Sequence, residues 1–244
     1  MQRSATRLSR ILACAAVPVM LVAAGCSSGS DSGDKGSGAP DKASSPASSA
    51  PQTTAPTKKV EPAKFAKLPE VCKAIPAKTI DALVPKAKNK NGTAANSSDV
   101  SSRGGCSWNG LEDKGVKGSQ YRWLDVSFYR YESDATLGSG QERAAENLTK
   151  ELGKVQATEG AKNLRTAVAG GVGEQANLVT YQLRKTDEDF TYATVVSRTG
   201  NVLVVLSFNG AGYAGAAGPS DAWIRNGAIN ASKQAVAAVA AANK

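Results

Sequence analysis

Three strand-like runs follow one another between residues 176 and 208: ANLVTYQL (176–183), FTYATVVS (190–197) and NVLVVLSF (201–208). Their β-branched and aromatic side chains crowd a helical turn but pack well on a pleated surface, which places them at the centre of a sheet. The last two are joined by RTGN, whose Gly200 and Asn201 suit a two-residue hairpin turn. A chain that contains this stretch must build an antiparallel sheet around it. The first two runs are separated by TDED, so Asp187, Glu188 and Asp189 read as a solvated hairpin turn. A calcium loop fails here, because Tyr192 stands at the sixth position counted from Asp187, where Gly is required.

The segments before and after this sheet supply the layers that cover it. In YRWLDVSFYRY (121–131), Leu124, Val126 and Phe128 alternate with Trp123, Asp125, Ser127 and Tyr129, the period-two signature of a strand with one core face. Its other face carries Tyr121, Trp123, Tyr129 and Tyr131 together. GCSWNG (105–110) gives a preceding strand, and the polar stretch 86–105 reads as a loop. Pro76 suits a first helical turn, and Ile80, Leu83 and Val84 share a face, so a short helix is expected from about Ala77 to Val84. Ser139 and Glu142 form a capping box ahead of Ala144, Ala145, Leu148 and Leu152, predicting a helix of about fourteen residues. Ser220 caps a long helix from Asp221 to about Ala242, with Ile224, Ala228, Ile229, Ala231, Ala235, Val236 and Val239 as its apolar stripe. The order α-β-β-α-β-β-β-α predicts a single α+β domain, with helices packed on an antiparallel sheet of about five strands.

The N-terminus gives an address. Arg3, Arg7 and Arg10 precede an uncharged apolar stretch from Ile11 to Ala24, the n-region and short h-region of a secretory signal. Its end, LVAAGCSS, resembles a bacterial lipobox, although Ala23 stands where Leu is usual. That resemblance implies cleavage after residue 25 and a diacylglyceryl group on the thiol of Cys26, whose two acyl chains meet the requirement for stable anchoring. Residues 26–64 then read as a disordered tether, since 27–64 hold no large apolar side chain except Val60 and cannot offset the entropy of ordering. Folding is expected from about Phe65 to Lys244. Ser32 and Lys35 match the S-x-x-K spacing of penicillin-interacting enzymes, but a tether offers no fold around them.

With Cys14 lost with the signal and Cys26 lipidated, Cys72 and Cys106 are the two thiols of the folded part, and in an oxidising compartment a disulfide is the simplest reading. The chain has thirty basic and 21 acidic residues, and loss of Arg3, Arg7 and Arg10 leaves a net charge of +6. Such a chain is attracted weakly to anionic lipids and wall polymers. No nucleic-acid motif is present, and export argues against nucleic acid as a partner. Histidine is absent from the whole chain. That excludes Ser-His-Asp and Cys-His catalysis and the common zinc sites, so neither catalytic residues, metal ligands nor a cofactor are assigned.

AGGVGEQA (169–176) presents Gly171, Gly173 and Ala176 at the spacing of a dinucleotide loop. Such a loop must open a helix, whereas ANLVTYQL is strand-like, so the motif reads as a flexible lead into the first strand of the central hairpins. Together with LPEVCKAIPAKTIDAL around Cys72, CSW at 106–108 and the final helix, GVGEQA resembles the motifs of an uncharacterised family of actinobacterial envelope lipoproteins with a domain of unknown function. The resemblance spans about Leu68 to Lys244. It implies a secreted, lipid-anchored domain with the Cys72–Cys106 disulfide, and no reaction.

Three functions compete. The first is a binding or interaction module on the extracytoplasmic face of the membrane, held through Cys26 and recognising a wall polymer or envelope protein. Trp123, Tyr129 and Tyr131 are its candidate binding face, able to stack on sugar rings or cover a peptide. The same rings can equally pack against a helix. The second is a carrier of lipid or another apolar ligand, which needs the sheet to curve around a cavity. The third is a histidine-independent enzyme resting on carboxylates, Lys or Tyr.

Overall fold

The computed structural model describes residues 59–244; the signal segment, Cys26 and most of the tether lie outside the described residues. Three helices, α1 (Ala77–Leu83), α2 (Gly140–Gln156) and α3 (Asp221–Ala242), accompany seven strands: β1 (Thr93–Ala94), β2 (Arg103–Asp113), β3 (Ser119–Arg130), β4 (Lys162–Val168), β5 (Gln175–Lys185), β6 (Glu188–Thr199) and β7 (Val202–Tyr213). All seven join one sheet in the order β1-β2-β3-β7-β6-β5-β4. Every pairing is antiparallel. The class is α+β as expected, but the sheet has seven strands, not about five.

The two additional strands are the edges, and their chemistry explains why periodicity does not show them. β1 is two exposed residues inside the Asn- and Ser-rich loop. In β4, KNLRTAV, every side chain but that of Leu164 is exposed, so no hydrophobic alternation marks it. Its pairing with β5 is irregular between Lys162 and Arg165. A bulged, charged edge of this kind resists pairing with another chain.

The sheet buries one face under α3 and α1. Leu124, Phe128, Val195, Val204, Leu206 and Phe208 meet Ile224, Ala228, Ala231, Ala235 and Val239 there, all fully excluded from solvent. Gly227 permits this approach, because a β-carbon on it would lie 2.7 Å from Leu83 and 2.9 Å from the ring of Phe208. The predicted cap of α3 is present, with the Ser220 hydroxyl accepting from the Trp223 amide. Trp108 and Cys106 project from β2 into this core, and Cys106 is bonded to Cys72 with a Cα separation of 5.2 Å.

The other face is covered only in part. α2, one turn longer than expected at 17 residues, starts at the predicted capping box of Ser139 and Glu142. Its Leu148 packs on Val196 and Leu203, and Leu152 and Val155 on the cluster around Val179, Tyr181 and Tyr192. This covers β5, β6 and parts of β7, and leaves β2, the middle of β3 and the adjoining Ser207 and Asn209 of β7 beside it.

The hairpin turns follow the expected places with different detail. Thr186 and Asp187 link β5 to β6 with φ of +48° and +63°, the twist that a two-residue turn needs between antiparallel strands. In the β6–β7 turn Gly200 has positive φ, while Asn201 is fully buried. The Asn201 carboxamide accepts from the Phe65 amide at 2.7 Å and donates to the carbonyls of Phe65 at 3.0 Å and Tyr131 at 2.9 Å. A turn residue thus clips the incoming chain to the sheet.

AGGVGEQA leads into β5 as expected, but it does so as the turn from an unforeseen strand, β4, and it is pinned, not flexible. Gly173 takes φ +63° where a β-carbon would lie 2.4 Å from the Arg198 carbonyl oxygen. Glu174 accepts from Lys64 Nζ at 2.9 Å, Arg198 Nη1 at 2.8 Å and the Gly200 amide at 3.1 Å. The motif therefore ties β4–β5, β6–β7 and the incoming chain together.

Candidate functional site

Strand register determines what the uncovered face carries. Across β2, β3 and β7, Asn109 pairs with Trp123 and Trp123 with Asn209. In the next row Ser107 pairs with Asp125 and Asp125 with Ser207, which pairs in turn with Thr194 of β6. The middle of a sheet thus presents two polar rows around one indole. Ser107, Asn109, Trp123, Asp125 and Ser127 are all partly exposed, while Asn209 and Thr194 are buried.

The charge in this patch is held at a cost. Trp123 Nε1 donates to Asp125 Oδ1 at 2.9 Å, and Thr194 donates to the Ser207 hydroxyl at 3.2 Å. Burial pushes the Asp125 carboxyl up to about 6 from 3.8, against the opposing effect of the indole hydrogen bond. Desolvation disfavours the ionised form, and one neutral donor does not compensate for it. Burial also raises the Tyr121 hydroxyl above its ordinary value, with Asn109 acting in the opposite sense.

Two clefts adjoin the patch. One of about 560 Å³ lies between α2 and the turn before β2, lined by Arg103, Tyr129, Tyr131, Arg143, Glu151 and Lys154 among others. A second of about 300 Å³ shares Asp99, Arg103 and Tyr129 with it and reaches Gly105 and Ser127. The turn between them is ordered by Asp99, which accepts from Ser101 at 2.7 Å and from Ser102. Those hydroxyls hold its carboxyl down at about 2. Arg143 donates to the Glu132 carbonyl at 2.7 Å and lies 5.8 Å from the Tyr131 ring centroid, fixing one wall.

The aromatic residues of the sequence-predicted face are divided by the fold. Tyr129 and Tyr131 pack beside Leu148, Val196 and Leu203 under α2, so their rings are partly structural. Tyr121 joins the opposite cluster, 6.0 Å from Phe190 in an edge arrangement. Trp123 stands between the two clusters with its indole committed to Asp125. Tyr129 and Tyr131 are brought together in the larger cleft, and Trp123 lies on the polar patch farther along β3. The predicted lipid-attachment residue, Cys26, is outside the described residues.

Asp125, Asn109 and Asn209 were missed as site residues by sequence reasoning. The available signal was an acidic side chain on the non-core face in the middle of a strongly β-forming run; the asparagines on the flanking strands needed the register. Among the described residues no cluster of three or more His, Cys, Asp or Glu is placed to hold a metal ion. No described helix is long and apolar enough to cross a membrane.

Residues 21–216 match a protein family of unknown function, DUF3558. The chain belongs to this family. The match begins before Cys26 and ends before α3, so within DUF3558 the family pattern takes in the lipobox-like segment and the whole sheet. No curated protein matches the chain. Among solved structures, the crystal structure of LpqN, involved in cell envelope biogenesis of Mycobacterium tuberculosis, is similar at 15% identity with a TM-score of 0.31. That match covers 59% of this chain and 82% of LpqN.

Proposed function

We propose that this DUF3558 protein is a lipid-anchored binding module on the extracytoplasmic face of the cell membrane, not an enzyme. It recognises a wall polymer or an envelope protein through the uncovered β2-β3-β7 face. The observation that carries this reading is the polar patch around Trp123 and Asp125, which opens beside the cleft of Tyr129 and Tyr131. A sheet centre usually carries apolar side chains under a helix; here the Asn109 amide, serine hydroxyls, a carboxylate and an indole stand partly open, the equipment for orienting a polar ligand. The absence of histidine throughout the chain supports binding over acid–base chemistry. A secretory signal and lipobox-like Cys26 support the location and the membrane as a partner, and export argues against nucleic acid.

A carrier of apolar ligands would need space inside the sheet, and the face under α3 is instead filled by fully buried side chains. Calorimetric titration of solubilised wall fragments into the full-length protein tests the binding reading. Trp123→Ala and Tyr129→Ala are expected to weaken binding at least tenfold each. Binding unchanged in both variants would remove the assignment of this face.

A further inference from the structure

A third cleft lies on the other side of the sheet, beyond the start of α3. There the face that is apolar at Leu178, Ala193 and Val195 turns polar: Thr180 pairs with Ala193 and Arg165, and Gln182 with Thr191. These side chains line a cavity of about 320 Å³, with Arg165 of β4 and Arg225 of α3 at its margins and Asp221 as its carboxylate. Asn163 donates to Gln182 Oε1 at 2.9 Å, which turns the Gln182 amide into an available donor. Arg130, Arg184 and Arg198 each have a carboxylate partner, at Glu132, Asp189 and Glu174. Arg165 and Arg225 are exposed, and neither guanidinium has a hydrogen-bond or ion-pair partner among the described residues. Asp221 is four residues from Arg225 on α3, yet the two make no ion pair.

We propose that this cleft binds a phosphate group of a soluble, phosphodiester-linked polymer. Two guanidinium groups and one carboxylate leave a net positive charge, and the planar fork of arginine matches phosphate oxygens in pairs. Thr180, Thr191 and Gln182 add neutral donors on the floor, so a tetrahedral anion with several acceptor oxygens is served better than a single carboxylate. The lining favours the polymer over a lipid headgroup, because it holds no aliphatic side chain to receive an acyl chain, and the place of the cleft on the domain agrees. Asn243, at the end of α3, accepts from the amides of Ala66 and Lys67, so the chain joins the domain at that end of the helix. α3 has 22 residues, and at ~1.5 Å per residue this sets its two ends roughly 33 Å apart. The cleft stands at the end remote from the junction with the membrane-directed segment. It is also on the opposite face from Trp123, so it does not depend on the proposed binding face.

The test is calorimetric titration of the full-length protein at low ionic strength with three probes: inorganic phosphate, a glycerol-phosphate oligomer, and dihexanoylphosphatidylglycerol below its micellar concentration. The oligomer is expected to bind, with inorganic phosphate weaker. Arg165→Ala and Arg225→Ala should each weaken oligomer binding about tenfold, the double variant should lose it, and Arg225→Lys should fall between. Val116→Ala, at an exposed position that lines none of the three clefts, should leave it unchanged. Both arginines are exposed, so unchanged thermal unfolding of the variants verifies that folding is intact. Absence of oligomer binding, or equal binding by the double variant, would overturn the proposal. So would arginine-dependent binding of the short-chain lipid without binding of the oligomer.

Discussion

Asp125→Asn should make the protein more stable at neutral pH. In the native fold burial raises the Asp125 carboxyl from 3.8 to about 6. A carboxyl whose folded pKa lies above its unfolded value keeps its proton in the native state after the unfolded chain has released it. Its contribution to stability therefore falls as pH rises from about 4 to 6, and above that window the ionised group is a constant penalty. At ~1.36 kcal/mol per pKa unit the full penalty is about 3 kcal/mol. Solvent reaching the exposed edge of the side chain reduces it, so about 1–3 kcal/mol is expected. Asn is nearly isosteric and keeps an oxygen to accept from Trp123 Nε1, so the substitution removes the charge without removing the hydrogen bond. For a domain of this size the gain corresponds to a rise in Tm of about 2–12 °C. Thermal and urea unfolding of both proteins at pH 4 and pH 7.5 separates this effect from every other titrating group, because only the difference between variant and parent is read. The difference should be near zero at pH 4 and grow to its full value by pH 7.5. An Asn variant that is no more stable at pH 7.5, or a difference that does not change with pH, would refute the reasoning.

Three other perturbations bear on how the fold is held. Asn201→Ala strands the Phe65 amide and the Phe65 and Tyr131 carbonyls in a buried turn; it should cost about 3 kcal/mol in urea unfolding and expose the 61–65 segment to limited proteolysis. Ser232 is fully buried and its hydroxyl has no partner, so Ser232→Ala should be neutral or stabilising by up to about 1 kcal/mol, read as a shift in the urea midpoint. Reduction of Cys72–Cys106, which are 34 residues apart, should lower unfolding free energy by about 3–4 kcal/mol, as measured with and without reductant.

Side-chain periodicity made the central strands, α2 and α3 legible, because each buries one stripe and its caps are local: Ser139 with Glu142, and Ser220 with the Trp223 amide. β4 was not legible, since an edge strand with nearly every side chain in solvent carries no alternation to read. The role of Asn201 was hidden for a different reason. Its hairpin position was evident, but the Phe65 backbone that it binds is 136 residues away. The glycine motif shows the same limit: the strand following it was plain, whereas β4 before it and the Glu174 links to Lys64 and Arg198 depend on tertiary contacts. Of the candidate face, alternation placed Trp123 and Asp125 on one side of β3, but only the pairing with β2 and β7 set Asn109 and Asn209 beside them.

The central claim is that the β2-β3-β7 face around Trp123 meets a ligand in the cell envelope. A photoreactive amino acid placed at Asn109, which is partly exposed beside Trp123, and separately at Val168, exposed at the end of β4, tests it in intact cells. Irradiation should give a discrete polymer or protein adduct from position 109 and none from position 168, with the adduct lost when Trp123→Ala is added. No adduct at 109, or equal adducts from both positions, would contradict it.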